Sequence, residues 1–502
     1  MSTATFISFL IYLCAMLGIG VWAYFQTRNL SDYILGGRKL GGLVTALSAG
    51  ASDMSGWLLL GLPGAIYISG LGETWIALGL IIGAYFNWRI TAPRLRVYTE
   101  LANNSITLPE YFTNRFEDTS HVLRVISALV IVVFFTVYVA SGLTAGAKLF
   151  EASFEISYVN ALLIGALVIV SYTFFGGFLA VSWTDVVQGL LMVTALVVAP
   201  VVMFFELGNL DSIATSVTSV NPELADWFNG KSPGEFFLSI SFFSLMAWGL
   251  GYYGQPHLLA RFMAAKSIRE VHKARRIGMS WMILSVIGSL AVGYFGIAYF
   301  AGSEHQALLS NDGEKVFILA TQVLFNEWVA GFLLAAILAA VMSTIDSQLL
   351  VSSSAVTEDF YRVFFRRDAK ESELVWVGRF AVLLIAVIAI LISVDKNARV
   401  LELVSNAWAG FGSAFGPVIV ISLLWKGMTR NGAIAGMLVG ALTVILWITY
   451  KDSIGGWVAG TYEMIPGVLL STVVILVVSK FQMPSITMVE RHQQVLQLLK
   501  NK

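Results

Sequence analysis

Long apolar stretches separated by short polar segments recur along the whole chain. A membrane-spanning helix needs about 20 apolar residues, and these stretches lack the period-two alternation of membrane β-strands. The pattern therefore predicts thirteen helical spans, at 5–26, 42–67, 70–91, 123–149, 157–178, 182–206, 234–257, 277–302, 326–354, 375–394, 400–425, 431–450 and 459–479.

Composition supports a membrane protein. Of 502 residues, 57% are hydrophobic and 12% are charged, whereas a soluble domain carries about 25% charged residues. A net charge of zero gives no case for nucleic acid, and the single cysteine, Cys14, excludes an intrachain disulfide. The first apolar run lacks both a basic leader and a cleavage site, so it is expected to be a retained span rather than a signal peptide.

The distribution of basic residues predicts the orientation. If the N-terminus lies outside, 25 of the 31 Lys and Arg residues fall on the cytoplasmic side and six on the other. Such a bias is the positive-inside rule, and it predicts a cytoplasmic C-terminus in a multi-pass protein of the plasma (inner) membrane. Residues 207–235 and 303–325 are then external, and the tail from Pro484 is expected to be helical or disordered.

Two spans carry signs of a broken helix. In the second, Asp53 sits among small residues at bilayer depth, where an acid costs about 2.5–3.5 kcal/mol. In the seventh, Trp248–His257 contains three glycines and a proline, with Trp248 and Tyr252 four apart on one helical face. For the second span, the alternative is a small-residue packing face in which Asp53 has a purely structural partner. For the seventh span, the alternative is a tilted, tightly packed helix. Because each broken helix opens a set of five spans, the pair predicts inverted repeats with a midplane site.

Further polar groups lie in the ninth and sixth spans. Ser343, Asp346 and Ser347 share one helical face, with Thr344 beside them. Hard oxygen donors of this kind suit alkali cations, although such residues also hold membrane helices together without any ion. Asp185 is another acid, near the boundary of the sixth span.

These motifs, taken together, resemble the solute:sodium symporter family, and within it the proline-transporting bacterial members. The resemblance covers about residues 6–482 and is highly specific because long runs match in order. The matching stretches are Asp32–Arg38, Ala46–Trp57, Arg115–Asp118, Gly176–Asp185, Trp248–His257, Ala260–Ala265, Ala335–Thr344, Trp408–Gly416 and Met428–Gly432.

The resemblance implies an all-α integral membrane protein with a leucine-transporter-like 5+5 inverted-repeat core. Residues 1–30 would form an extra N-terminal helix, 41–425 the ten-helix core with repeats at about 42–206 and 234–425, 431–480 two additional helices, and 481–502 a cytoplasmic tail.

The resemblance also implies the site residues. Sodium would be held by Ala51, Met54, Ala340, Ser343 and Thr344, with Asp53, Asp185 and Asp346 as supporting or second-site residues. The substrate would be bound by Ser55, Trp57, Tyr138, Trp248, Tyr252 and Pro256. Asp346 departs from the serine expected in a proline-transporting member, which leaves the number of sodium ions open.

The implied activity is sodium-coupled symport of L-proline into the cell by alternating access. Its partners would be proline, sodium and membrane lipid, with no organic cofactor and no nucleic acid. A sugar, pantothenate or acetate remains the alternative substrate. An ion channel would need a repeated pore-lining filter, and a membrane enzyme would need catalytic His, Cys or paired acids; neither pattern is present in the sequence.

Overall fold

The computed structural model describes residues 3–25, 30–173 and 177–500, and over these ranges it is helical without a β-strand. We number the helices of the membrane layer α1 to α13. They are α1 Thr3–Tyr24, α2 Gly42–Asp53 with Leu62–Ser69, α3 Thr74–Phe86 with Ala92–Leu101, α4 Val122–Phe154, α5 Tyr158–Thr173, α6 Phe178–Leu207, α7 Ile240–Met246 with Pro256–Ala264, α8 Ile268–Phe300, α9 Glu327–Ser354, α10 Glu371–Ile392, α11 Val400–Ala414 with Gly416–Leu424, α12 Arg430–Ile454 and α13 Met464–Lys480.

Shorter elements complete the chain. Three π-helical turns, Trp57–Gly61, Asn87–Thr91 and Ala355–Tyr361, lie within or directly after α2, α3 and α9. The segment Ala247–Gly254 of α7 is a 3-10 helix. Connecting α- and 3-10 helices occupy Leu30–Leu35, Gly36–Arg38, Gly70–Glu73, Leu108–Arg115, Leu210–Val220, Pro222–Ala225, Pro233–Phe237, Gln306–Asn311, Gly313–Lys315, Val316–Leu324, Arg362–Phe364 and Gly456–Ala459, and the tail forms the helix Ile486–Lys500.

Every predicted span contains helix in the described part of the chain, but several ends differ. α8 begins at Ile268 rather than 277, and α7 continues to Ala264 rather than ending at 257. In both cases the extra turns carry charged residues, so they are not part of an apolar run. Residues 26–29 of the first predicted domain (1–30) and residues 174–176 of the fifth predicted span (157–178) lie outside the described residues.

Helix length and apolarity give one test of which helices could cross a membrane. Nine helical stretches of the described ranges pass it, and Tyr158–Val170 and Met464–Lys480 are shorter apolar helices. α7 does not pass, and the second half of α2 is merged with α3 into one stretch, Trp57–Leu101. In the described part of the chain, neither broken helix, α2 or α7, forms a stretch of its own that passes, and the shorter helices α5 and α13 do not pass either.

One arginine ties together the ends of α2, α3 and α7. Arg38, just before α2, donates hydrogen bonds to the carbonyl oxygens of Met263 (2.6 Å) and Ser105 (2.7 Å) and to Thr99 Oγ1 (3.1 Å). Nearby, the N–H of Leu40 donates to the carbonyl of Ala264 at 3.2 Å. These bonds join the ends of the two broken helices, which are distant in sequence.

The helices outside the core pack on it. On α1, Tyr12 donates a hydrogen bond to Met342 Sδ of α9 and accepts one from Gln188 of α6. At the other end of the chain, α12 and α13 pack against each other and against α11. The tail helix also docks, because Arg491 donates to the carbonyl of Asn114 at 2.7 Å.

Candidate functional site

The break in α2 frees backbone carbonyls in the middle of the membrane layer. The N–H of Met54 makes the last helical bond, to the carbonyl of Gly50 (2.9 Å), and the N–H of Ser55 bonds to the carbonyl of Asp53 (3.0 Å) instead of to Ala51. A buried carbonyl must find another donor. For Asp53 the donors include Trp57 Nε1 at 3.4 Å and the Tyr138 hydroxyl at 3.5 Å.

The freed carbonyl of Ala51 meets hydroxyl groups of α9. Ser343 Oγ lies 2.8 Å from the Ala51 oxygen and 3.1 Å from the Ala340 oxygen, and Thr344 Oγ1 lies 3.5 Å from the Ala51 oxygen. All four residues are buried. The structure thus brings together four of the five residues predicted for sodium, and the fifth, Met54, lies at the break itself.

The break in α7 combines a change of helix type with a proline. The 3-10 segment ends at Gly254, Gln255 is extended (φ −81°, ψ 108°), and Pro256 begins the second half. Proline suits that first position because its missing N–H would be unpaired there. Gly254 is required, because a Cβ there would lie 2.1 Å from the Phe411 carbonyl oxygen of α11.

The prediction that Trp248 and Tyr252 share one face is wrong, because the segment is a 3-10 helix. At three residues per turn, positions four apart differ by about 120°. Tyr252 packs edge-on against Trp408 of α11, with ring centroids 5.1 Å apart, whereas Trp248 stacks on Tyr462 at 5.4 Å.

The two broken helices touch through a buried hydrogen bond. The hydroxyl of Tyr252 donates to Asp53 Oδ2 at 2.6 Å, and both residues are almost fully buried. Asp53 Oδ1 has no hydrogen-bond partner within the described part of the chain. Because an uncompensated buried oxygen costs free energy, a donor from a ligand would stabilise this atom.

Not all the predicted substrate residues meet in one place. Ser55, Trp57, Tyr138 and Tyr252 surround the Asp53 backbone and carboxylate. Pro256 instead lines a small cavity with Ile131 and Leu350, among others.

Asp185 already has a positively charged partner. Arg261 Nη2, from the second half of α7, lies 3.2 Å from Asp185 Oδ2, and both side chains are fully buried. Ser48 donates to the same carboxylate oxygen at 2.6 Å, and Arg261 also donates to Ser347 Oγ at 2.5 Å. Asp346, the other predicted second-site acid, is buried on α9 between Ser343 and Ser347. Sequence reasoning missed Arg261, whose only signal is its place in the Ala260–Ala265 motif.

A core of inverted repeats with one broken helix in each half defines the sodium-coupled transporter fold of the leucine-transporter type. Two solved structures share it: a Na+-coupled sialic acid symporter in a substrate-bound, outward-open state (TM-score 0.76, 20% identity, 96% of this chain and 99% of the other), and a nucleobase-cation-symport-1 family transporter in a closed conformation (TM-score 0.54, 14% identity, 93% of this chain and 100% of the other). At these identities the likeness concerns the fold.

Sequence comparison identifies the family. The model of the sodium:solute symporter family matches residues 33–440. The chain is 54% identical over 494 residues to the sodium/proline symporter of Escherichia coli, covering 98% of this chain and 96% of the relative. It is 52% identical to the osmoregulated proline transporter OpuE of Bacillus subtilis, with 95% of both chains covered. The protein belongs to the sodium:solute symporter family, and it is a multi-pass membrane protein rather than an enzyme.

Proposed function

We propose that this protein carries L-proline into the cell together with sodium by alternating access. The observation that carries the proposal is the cluster of neutral oxygens where the broken α2 meets α9 (Ala51, Ala340, Ser343 and Thr344). Relatives at 54% and 51% identity are a sodium/proline symporter and a high-affinity proline transporter, which supports proline over a sugar, pantothenate or acetate.

Sodium binds, in this proposal, between the carbonyls of Ala51, Met54 and Ala340 and the hydroxyls of Ser343 and Thr344. Hard oxygen atoms are the ligands that alkali cations prefer. The Ser343 hydroxyl now donates its one proton to a neighbouring carbonyl. A sodium ion between these oxygens would instead be bound by their lone pairs, and it would link α2 to α9. By linkage, a conformation that sodium favours through this contact is one in which proline also binds more tightly.

Proline binds, in this proposal, between the two breaks. Its carboxylate is placed near the N-terminal end of a half-helix, where the helix dipole favours negative charge. Its ring packs against aromatic side chains, and its ammonium group donates to the open Asp53 Oδ1. The residues involved are Ser55, Trp57, Tyr138 and Tyr252, around Asp53, together with Trp248 and with Pro256, which begins the second half of α7.

The boundaries and the orientation belong to the same proposal. The transport core spans 41–425, with repeats at about 42–206 and 234–425; the helix of residues 1–30 precedes it and the two helices of 431–480 follow. The positive-inside bias supports an external N-terminus and a cytoplasmic tail at 481–502. In this orientation Arg261 lies closer to the cytoplasm than the proposed sodium position.

Uptake by purified protein in liposomes tests the function. Labelled proline should accumulate when sodium is present outside, and replacing sodium by potassium should abolish accumulation. Labelled glucose, pantothenate and acetate, assayed in the same vesicles, should not accumulate. Sodium-driven uptake of one of these three without uptake of proline would contradict the proposal.

A further inference from the structure

The loop between α12 and α13 reaches the proposed substrate pocket. The ring of Tyr462, in this loop, stacks on Trp248 with centroids 5.4 Å apart and planes inclined by 19°. Two bonds hold the loop in place: Trp447 Nε1 donates to the carbonyl of Thr461 at 3.1 Å, and Lys451 pairs with the buried Glu463 at 3.2 Å. The stacked ring is therefore part of an ordered loop.

Tyr462 is held at both ends by the core. Its backbone N–H donates to Ser244 Oγ of α7 at 3.1 Å, and its hydroxyl donates to the carbonyl of Ser405 of α11 at 2.9 Å. Trp408 of α11 donates from Nε1 to the carbonyl of Trp248 at 2.8 Å. The Trp248 indole is thus held on one face by the Tyr462 ring, and its backbone carbonyl is held by Trp408.

We propose that Tyr462 is a positioning residue that determines substrate specificity. By stacking on Trp248 it fixes the plane of the indole, and this plane sets the width of the slot in which a small cyclic amino acid packs its ring. Residue 462 lies beyond the segment matched by the family model, which ends at residue 440. The helix pair α12–α13 would therefore take part in selecting the solute. The inference rests on the proposed function, since it assumes that Trp248 lines the proline pocket.

Uptake by liposomes containing Tyr462→Ala tests the inference. Loss of an aromatic stack is expected to raise the proline concentration for half-maximal uptake about 2- to 10-fold. The preference for proline over its four- and six-membered-ring homologues, azetidine-2-carboxylate and pipecolate, should fall by a similar factor. The sodium concentration for half-maximal uptake, measured at saturating proline, should not change. Tyr462→Phe keeps the ring and should restore most of the ring-size preference.

Tyr450→Ala is the matched control, because Tyr450 lies on α12 and is 54% exposed. It should leave all three quantities unchanged. An unaltered ring-size preference in Tyr462→Ala, or an equal loss in Tyr450→Ala, would overturn the inference. Absence of sodium-driven proline uptake by the unmodified protein would instead overturn the proposed function, and the inference with it.

Discussion

Two polar clusters lie one helical turn apart where α2 meets α9, and they differ in charge. In the first, the hydroxyl of Ser343 faces the carbonyls of Ala51 and Ala340, all neutral oxygens. In the second, the Arg261 guanidinium lies between Asp185 and Ser347. The clusters are linked directly, because Ser347 Oγ donates to the Ser343 carbonyl at 2.8 Å.

The difference in charge indicates which of the two clusters could bind a cation. In the Asp185 cluster the positive charge is supplied by the protein, so sodium there would have to displace or neutralise Arg261. In the Ser343 cluster the oxygens offer lone pairs and no charge of their own. An acidic residue makes a cluster the better cation site only if no basic side chain already pairs with it. The prediction of a second ion at Asp185 and Asp346 therefore depends on whether Arg261 stays paired with Asp185.

The largest expected effect is on stability, from Arg261→Met. Removal of one partner of a buried ion pair costs about 3–5 kcal/mol, because the other charge stays buried. The variant should unfold at a much lower temperature in detergent, and the double variant Arg261→Met/Asp185→Asn should recover part of the loss. Arg269→Met is the control, since that side chain is exposed. A single variant as stable as the unmodified protein would show that Asp185 is not held by Arg261.

Ser343→Ala should act on sodium rather than on stability. Hydrogen bonds and contacts to charged groups are worth about 1.5–3 kcal/mol, so the sodium concentration for half-maximal proline binding should rise about 10- to 100-fold. Thr344→Ala should act in the same direction. Ser352→Ala is the matched control, because Ser352 is buried on α9 and its hydroxyl donates to the Gln348 carbonyl of the same helix at 2.7 Å. An unchanged sodium midpoint in both variants would place the ion elsewhere, with Asp185 and Asp346 as the next candidates.

Asp53→Asn tests the contact between the two breaks. The variant should weaken both proline and sodium binding, because the carboxylate bonds to Tyr252 beside the proposed sodium position. Combined with Tyr252→Phe, it should be non-additive by about 0.5–3 kcal/mol, as expected for residues in direct contact. Additive effects on the proline dissociation constant would mean that the hydrogen bond does not contribute to binding. The amount of folded protein at the membrane must be equal in all variants compared.

The smallest expected effect on transport is that of two exposed cysteine substitutions, whose labelling determines which cluster lies nearer the cytoplasm. In a Cys14→Ser background, Ser212→Cys should react with an impermeant maleimide on intact cells, and Lys266→Cys should react only after permeabilisation. Both positions are exposed, and Lys266 follows α7 directly, two residues after its last helical residue. Transport by both variants should be normal. The reverse labelling would place the Arg261 cluster on the outer side of the proposed sodium position.

The sequence could predict the spans for a physical reason, whereas the hydroxyl cluster is expected from the resemblance to a family. Long apolar runs have few structural alternatives in a membrane. The roles of Ser343 and Thr344 follow from the matching stretch Ala335–Thr344, because hydroxyl groups on a membrane helix can also hold helices together without an ion. Arg261 could not be recognised as buried, because the predicted seventh span ended at 257 and the residue was counted with the cytoplasmic charges. The separation of Trp248 from Tyr252 depends on a 3-10 segment for which the sequence has no periodic signal. Tyr462 reaches α7 through a loop, and a loop path is set by tertiary packing.

The Arg38 bonds limit how the core can move. They fasten the ends of α2, α3 and α7 to one another, so these helices have few independent degrees of freedom and should tilt as one body. If these ends stay fastened during transport, the solute path opens through the movement of one body rather than of three independent helices.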